Sequence, residues 1–416
     1  MSMTRDDFYA QAKPGSKGPL EGIRVLEATN YGAGPFCGTV LADFGAESIK
    51  VEMPKAGDPV RALGPFVGGK PGMETGAWYL SINRNKKCIT LDLRRPEGQA
   101  IFRELAKQAD IVVENFTPGV MAGWGLGYED MAKIKSDIIY VSVSGFGQFG
   151  PLSHRKGFDP VAQAMGGIMS VTGEKGGSPL RAGFALADDL AGWMGAMAAM
   201  AALHHRGRTG EGQQIDSSLV DSILYASDSG VMAAANAAHL APRYGSGAVG
   251  AAPLNTFPCR DNRHAFVHAV FDHGWRGFCN EIGRPDLIDD PRTCSLAARG
   301  ENEDFVNATV TEWTQRHTVE EVVTASERGG FVASPILDFA EICEEPHFLE
   351  RESVACFEHP LHGPLKSYGV GPKFSRTPAK VRHAAPQLGQ HNEDVYAGVL
   401  GYSKEKIEQL RAAGVI

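Results

Sequence analysis

The chain has 416 residues, of which 50 are glycine and 43% are hydrophobic. That much apolar material builds a large core and excludes a disordered chain, and the glycines follow no three-residue period, which excludes collagen. With 41 basic and 49 acidic residues the formal charge is −8, a poor match for nucleic acid, whose phosphates need a basic surface.

The opening 18 residues are polar and carry no apolar signal-peptide segment, so a cytoplasmic protein is expected. Residues 22–29, GIRVLEAT, read as a short strand. A glycine-rich turn follows at 32–38, GAGPFCG, then a helical run, and ESIKVEM at 47–53 reads as a second strand. This is the size of a βαβ unit. The pattern recurs: 95–109 is an amphipathic helix with Ile101, Leu105 and Ala109 on one face, and it leads into a strand at 110–116. A helix at 127–135 precedes a strand at 137–147. Such alternation argues for an α/β domain with a mainly parallel sheet. The Ala- and Met-rich run 191–203 is too short to span a bilayer and reads as a buried helix, so no membrane partner is expected. Residues 253–330 mix short strands, such as 263–271, with helices containing 275–283 and 302–317, and look like a second, smaller domain. Strand-then-helix character returns at 329–342, the stretch 362–378 reads as turns, and the chain closes on a helix. Seven scattered cysteines with no C-x-x-C pair signal neither a disulfide framework nor a zinc site, and read as reduced thiols.

Four places carry candidate chemistry. Gly32, Gly34 and Gly38 sit between a strand and a helix, with Glu52 ending the next strand. This imitates a dinucleotide fingerprint, in which glycines let a backbone approach a pyrophosphate and an acid binds the ribose. Nicotinamide or flavin binding, another anionic ligand, and tight packing alone all fit it. Asn115, Phe116 and Thr117 follow a strand, where open α/β sheets bind ligands, although Asn and Pro-Gly also favour plain turns. Lys156, Gly157, Phe158 and Asp159 offer a cation beside a glycine, or a solvated loop. Asp188 and Asp189 stand before the apolar helix. One suits an N-cap, while a carboxylate near a thioester suits a covalent nucleophile, favoured in its ionised form by the helix N-terminus. There is no G-x-S-x-G elbow, Walker A loop or H-E-x-x-H, and no histidine spacing for a metal.

Together these segments resemble the class III CoA-transferase family over nearly the whole chain. The carriers are PLEGIRVLE (19–27), AGPFCG (33–38), LADFGAESIKVE (41–52), NRNKKCITLDLRRPEG (83–98), VENFTPGVM (113–121), SGFGQFGP (144–151), DPVAQAMGGIMSVTG (159–173), AALHHRGRTGEGQQID (201–216), SPILDFAEI (334–342), SRTP (375–378) and LGQHNEDV (388–395). The resemblance implies a Rossmann-like large domain built from both chain ends (1–225 and 331–416), a smaller inserted α+β domain (226–330), and an interlocked homodimer, with a heteromer of related subunits as the alternative. It implies that CoA and acyl-CoA are substrates, with a carboxylic acid as the other reactant and no tightly bound cofactor. The family's catalytic aspartate lies in a D-x-x-x-G pattern, which Asp188 fits through Gly192. Its CoA contacts fall on Ala33, on Leu91, Asp92, Leu93 and Arg94, on Asn115, Phe116 and Thr117, and on Lys156, Gly157, Phe158 and Asp159.

Departures from the family pattern narrow the expectation. Phe158 stands where the family's racemases carry histidine, and phenylalanine cannot move a proton, so transfer is favoured over racemisation. Gly32, Leu63 and Phe158 replace the glutamine, tryptophan and tyrosine of formyl-CoA transferase, a smaller and more apolar set that points to an acid larger than oxalate or formate. The expected reaction takes CoA from succinyl-CoA to a dicarboxylate, an aryl- or alkyl-succinate or a C4–C5 diacid. The family's arginine after the N-F-x-P-G motif is Gly123 here.

Overall fold

The computed structural model describes residues 3–416. Six strands form one parallel sheet: β1 (Arg24–Ala28), β2 (Glu47–Glu52), β3 (Lys86–Thr90), β4 (Ile111–Glu114), β5 (Ile139–Ser144) and β6 (Gln213–Ser218). Their order across the sheet is β3-β2-β1-β4-β5-β6. Strand order therefore reverses between β1 and β4, which in a doubly wound sheet opens a crevice at the carboxyl ends of those two strands. The four residues of β4 and the six of β5 are all buried, as expected where helices cover both faces of a parallel sheet.

Helix α1 (Ala33–Asp43) joins β1 to β2, and α2 (Pro96–Ala106) joins β3 to β4. The α2 face of Ile101, Phe102 and Leu105 packs into a core with Leu26, Ile49, Ile89 and Val112, which fulfils the amphipathic reading. The chain's last residues join the same core through Tyr396, Ile407 and Val415. They also cover the sheet edge: the His391 N–H donates to Cys88 O at 2.9 Å, and Asn392 Oδ1 accepts from Thr90 N at 2.9 Å. An edge strand left bare would expose pairing groups to other chains.

Helix α3 (Asp159–Met165) is short, and α4 (Leu186–Thr209) is the long alanine-rich helix. Its buried residues, among them Ala187, Ala191, Gly192, Gly195 and Ala199, form a small-residue face. That face lets α4 press onto α1: a Cβ on Gly192 would lie 2.9 Å from Ala33 O and 3.0 Å from Cys37 N. The run 191–203 is buried on this face only, since Met197 on another face is 56% exposed. No helix among the described residues is long and apolar enough to cross a membrane.

The chain divides into two compact units, residues 3–167, 182–228 and 343–416 in the first, and 168–181 and 229–342 in the second. In the second, β7 (Leu254–Pro258), β8 (His264–His268) and β9 (Val332–Pro335) make an antiparallel sheet. Helices α5 (Asp272–Glu281), α6 (Glu303–Thr314) and α7 (Val319–Gly329) supply Trp275, Phe278, Val310, Trp313 and Val322 to a core shared with that sheet. Because β9 pairs with β8, the return to the first unit falls after Ile342, later than the expected residue 331. The tail expected to be turns contains a hairpin, β10 (Val354–His359) with β11 (Gly363–Tyr368).

Candidate active site

The carboxyl ends of β1 and β4 lie side by side, so the turn after each strand meets the other. Asn115, just beyond β4, grips the backbone of Asn30, just beyond β1: its Oδ1 accepts from Asn30 N at 2.8 Å and its Nδ2 donates to Asn30 O at 2.7 Å. A Cβ on Gly34 would lie 2.7 Å from Asn115 Cγ, so glycine there is what lets the two turns meet. Tyr31 has a φ of 61°, and its N–H donates to Asp58 Oδ1 at 3.1 Å.

Gly32 then caps α1 with no side chain to satisfy the helix's leading N–H groups. The side chain that comes up to it belongs to Asp188. A Cβ built on Gly32 would stand 2.2 Å from Asp188 Oδ2 and 3.1 Å from Trp78 Cζ2. The Asp188 carboxyl thus rests against the glycine turn, with Trp78 beside it.

Asp188 occupies the first turn of α4, yet the capping role expected of one of the two acids there falls to neither. It falls to Asp159, which is buried, accepts from Ala187 N at 2.7 Å, and takes Gln163 Nε2 on its other oxygen at 2.8 Å. Gln163 Oε1 in turn accepts from Ala182 N at 2.8 Å, which fastens the approach to α4. Burial, then the charge of Asp159, then that of Asp189, push the Asp188 carboxyl up to about 7. None of these influences is a cation, and the shift runs opposite to the ionised form that a helix N-terminus favours. Burial and the Asp159 charge push Asp189 up to about 6.

The other expected contacts distribute unevenly. Gly157 crosses Gly145, at the end of β5, so closely that a Cβ on it would lie 2.7 Å from Gly145 Cα. This brings Phe158 against Tyr31, edge to face at 5.9 Å, with Lys156 exposed beside them. Ala33 is buried at the start of α1. Phe116 packs edge to face on Trp124 at 5.2 Å, and Thr117 is exposed. Leu91, Asp92, Leu93 and Arg94 follow β3, two strands from β1. Leu91 and Leu93 point into the core, and Arg94 forks onto both oxygens of Asp92 at 2.8 Å. Near Gly123, the Arg103 guanidinium is engaged with the carbonyls of Trp124 at 3.1 Å and Gly125 at 3.0 Å. A cavity of about 820 Å³ opens at the amino ends of β1 to β3, lined by Arg24, Glu47 and Lys87, at the opposite end of these strands from the glycine turn.

Beneath the site lie buried ion pairs that no motif announced. Lys50 pairs with Asp58 at 2.9 Å, Glu27 with Lys86 at 2.9 Å, and Glu52 with Arg61 at 2.8 Å. Glu52 also accepts from Asp58 N at 2.7 Å and Tyr79 Oη at 2.8 Å. Burial pushes its carboxyl up, but the Arg61 hydrogen bonds and the charges of Lys50 and Arg61 prevail and hold it at about 2. An acid so engaged has no oxygen left for a ribose, so the dinucleotide reading fails at Glu52.

The comparisons agree in one direction. The profile of CoA-transferase family III matches residues 20–392. The succinyl-CoA–D-citramalate CoA-transferase of Chloroflexus aurantiacus is 37% identical over 399 residues, covering 96% of this chain and 98% of that protein. The β subunit of that organism's succinyl-CoA–L-malate CoA-transferase is 36% identical, again over 96% of this chain and 98% of its own length. Among solved structures, a CAIB/BAIF family protein from Brucella suis superposes with a TM-score of 0.82 at 32% identity, over 92% of this chain and all of the other. These matches have one reading: the chain belongs to CoA-transferase family III and is a class III CoA-transferase.

Proposed function

We propose that the enzyme moves CoA from succinyl-CoA to a dicarboxylate through covalent intermediates on Asp188. The observation that carries this is the Asp188 carboxyl seated against Gly32, where no side chain intervenes between it and the helix N-terminus. The carboxylate attacks the acyl-CoA carbonyl, the C–S bond breaks, and a mixed anhydride and CoA thiolate form. The thiolate attacks the aspartyl carbonyl, giving an enzyme thioester and releasing succinate. The acceptor carboxylate then attacks that thioester, and the freed thiolate takes the acceptor acyl group from the second anhydride. Each step exchanges one activated acyl group for another, so the sequence needs no ATP. The leading N–H groups of the Gly32 to Gly34 turn are the oxyanion donors in this reading.

A dicarboxylate acceptor is supported by the names of the two relatives, since citramalate and malate are both C4–C5 diacids. CoA lies over the Ala33 turn, the Asn115 to Thr117 turn and the Lys156 to Asp159 segment. The contribution of Leu91 to Arg94 runs through backbone, because the leucines face the core and Arg94 is paired. Asn115 acts on the ligand indirectly, by fixing Asn30. The working unit in this reading is a cytoplasmic, interlocked homodimer; the relative named as a β subunit supplies the contrasting case, which native mass spectrometry of the protein expressed alone separates.

The test is to mix enzyme with succinyl-CoA, trap with hydroxylamine or borohydride, and examine the Asp188 peptide by mass spectrometry. Modification at Asp188, and loss of transfer in Asp188→Ala with folding intact, are expected. Wild-type transfer by Asp188→Ala refutes the proposal. A panel of carboxylic acids with succinyl-CoA then ranks the acceptors.

A further inference from the structure

We infer that Lys50 and Asp58 are positioning residues that set the turn facing the nucleophile, an inference that rests on Asp188 being that nucleophile. Lys50 lies on β2, fully buried, and its Nζ donates to Asp58 Oδ2 at 2.9 Å and to the Thr29 carbonyl at 2.9 Å. Asp58 is equally buried, and its other oxygen accepts from Tyr31 N at 3.1 Å. Between those two backbone groups, Asn30 is gripped by Asn115 on both its N–H and its carbonyl. Thr29, Asn30 and Tyr31 are therefore each held, one after another, by side chains from three other segments.

The conformation they hold is a strained one. Tyr31 sits at a φ of 61°, in the left-handed region that a residue carrying a Cβ enters only when its surroundings impose it. The next residue is Gly32, against which Asp188 Oδ2 rests. An ion pair removed from water is a weak device for stability, and a well-packed neutral pair fills such a space as well. What Lys50 and Asp58 do beyond filling that space is bind a carbonyl and an N–H two residues apart on one short turn, so that the backbone on either side of Asn30 is held from one ion pair. The hold continues inward: Asp58 N donates to Glu52, which Arg61 fixes.

Lys50→Met alone strands the Asp58 charge, so the informative variant is Lys50→Met/Asp58→Asn. It removes both charges at similar volume, keeps the Oδ1 acceptor for Tyr31, and releases the Thr29 carbonyl. The expected result is a folded enzyme whose melting temperature falls by a few degrees, because the buried Thr29 carbonyl loses its donor, and a kcat at least ~10-fold lower, with KM for succinyl-CoA unchanged, as misplacement by a fraction of an ångström produces. Adding Tyr31→Gly, which takes the left-handed conformation without strain, is expected to return part of the lost kcat. A wild-type kcat in the folded double variant overturns the inference and leaves the nucleophile standing. Hydrogen exchange of the wild-type enzyme gives a readout independent of the variants: a Tyr31 amide that exchanges as fast as an open loop also overturns it. Transfer surviving Asp188→Ala overturns the nucleophile reading instead, and with it this inference.

Discussion

Replacing Asp188 by asparagine is expected to stabilise the protein while abolishing its activity. A carboxyl raised to about 7 in the folded chain, from an ordinary value near 3.9, binds its proton more tightly folded than unfolded. Its contribution is therefore present at low pH and lost as pH rises through about 7. Asparagine keeps the shape and carries no charge to desolvate. At ~1.4 kcal/mol per pH unit, the gap of roughly three units sets a ceiling of ~4 kcal/mol above neutrality and ~2 kcal/mol near pH 5.5. Relaxation of the neighbouring Asp159 and Asp189 charges lowers both figures, but the difference between the two pH values remains. The assay is urea unfolding of wild type and Asp188→Asn at about pH 5.5 and about pH 8, at constant ionic strength. A variant more stable at pH 8 than at pH 5.5, relative to wild type, is expected. A variant no more stable than wild type at pH 8, or an advantage that does not move with pH, refutes the claim that the site holds Asp188 desolvated among like charges.

The same carboxyl predicts the rate profile: kcat/KM for succinyl-CoA should fall about tenfold per pH unit below an inflection near 7, because only the ionised form attacks. A profile flat down to pH 5 contradicts it. Gly32→Ala places a Cβ 2.2 Å from Asp188 Oδ2, so the carboxyl or the turn must move; a loss of about 100-fold in kcat with a small change in melting temperature is expected from steady-state kinetics and thermal unfolding. Arg61→Met leaves Glu52 buried with its main partner gone, and should lower stability by about 3–5 kcal/mol in urea unfolding. Arg61→Met as stable as wild type would show that Glu52 is not held by that pair.

The parts of the fold that follow from local pattern were legible in the chain. Apolar runs marked β1, β4 and β5, the spacing of Ile101 and Leu105 marked α2, and the glycine turn was placed correctly between strand and helix. The segments brought to that turn, Asn115, Phe158 and Asp188, were among those singled out. Strand order was not legible, because periodicity reports an element and not its neighbours. The charges of Glu27, Lys50, Glu52 and Lys86 give no sign in sequence that the fold will bury them, since charged residues on strands are ordinarily solvated. The acid that caps α4 was not legible, because Asp159 lies 28 residues upstream of the N–H it accepts and local pattern does not reach that far. The hairpin of β10 and β11 was hidden by glycine and proline, which mark turns without excluding a strand between them.

The engagement of Glu52 also bears on redesign. The sheet has the strand order of dinucleotide-binding enzymes, and its first turn has a comparable glycine pattern, so it invites conversion into a dehydrogenase by exchange of the turn alone. Such a graft would meet an acid already locked to Arg61, Tyr79 and the Asp58 amide. Freeing that acid for a ribose would strand a buried guanidinium and loosen the support under the neighbouring turn. The obstacle to a new cofactor here is thus the foundation under the binding loop, and any conversion must begin by rebuilding β2 and the segment that carries Arg61.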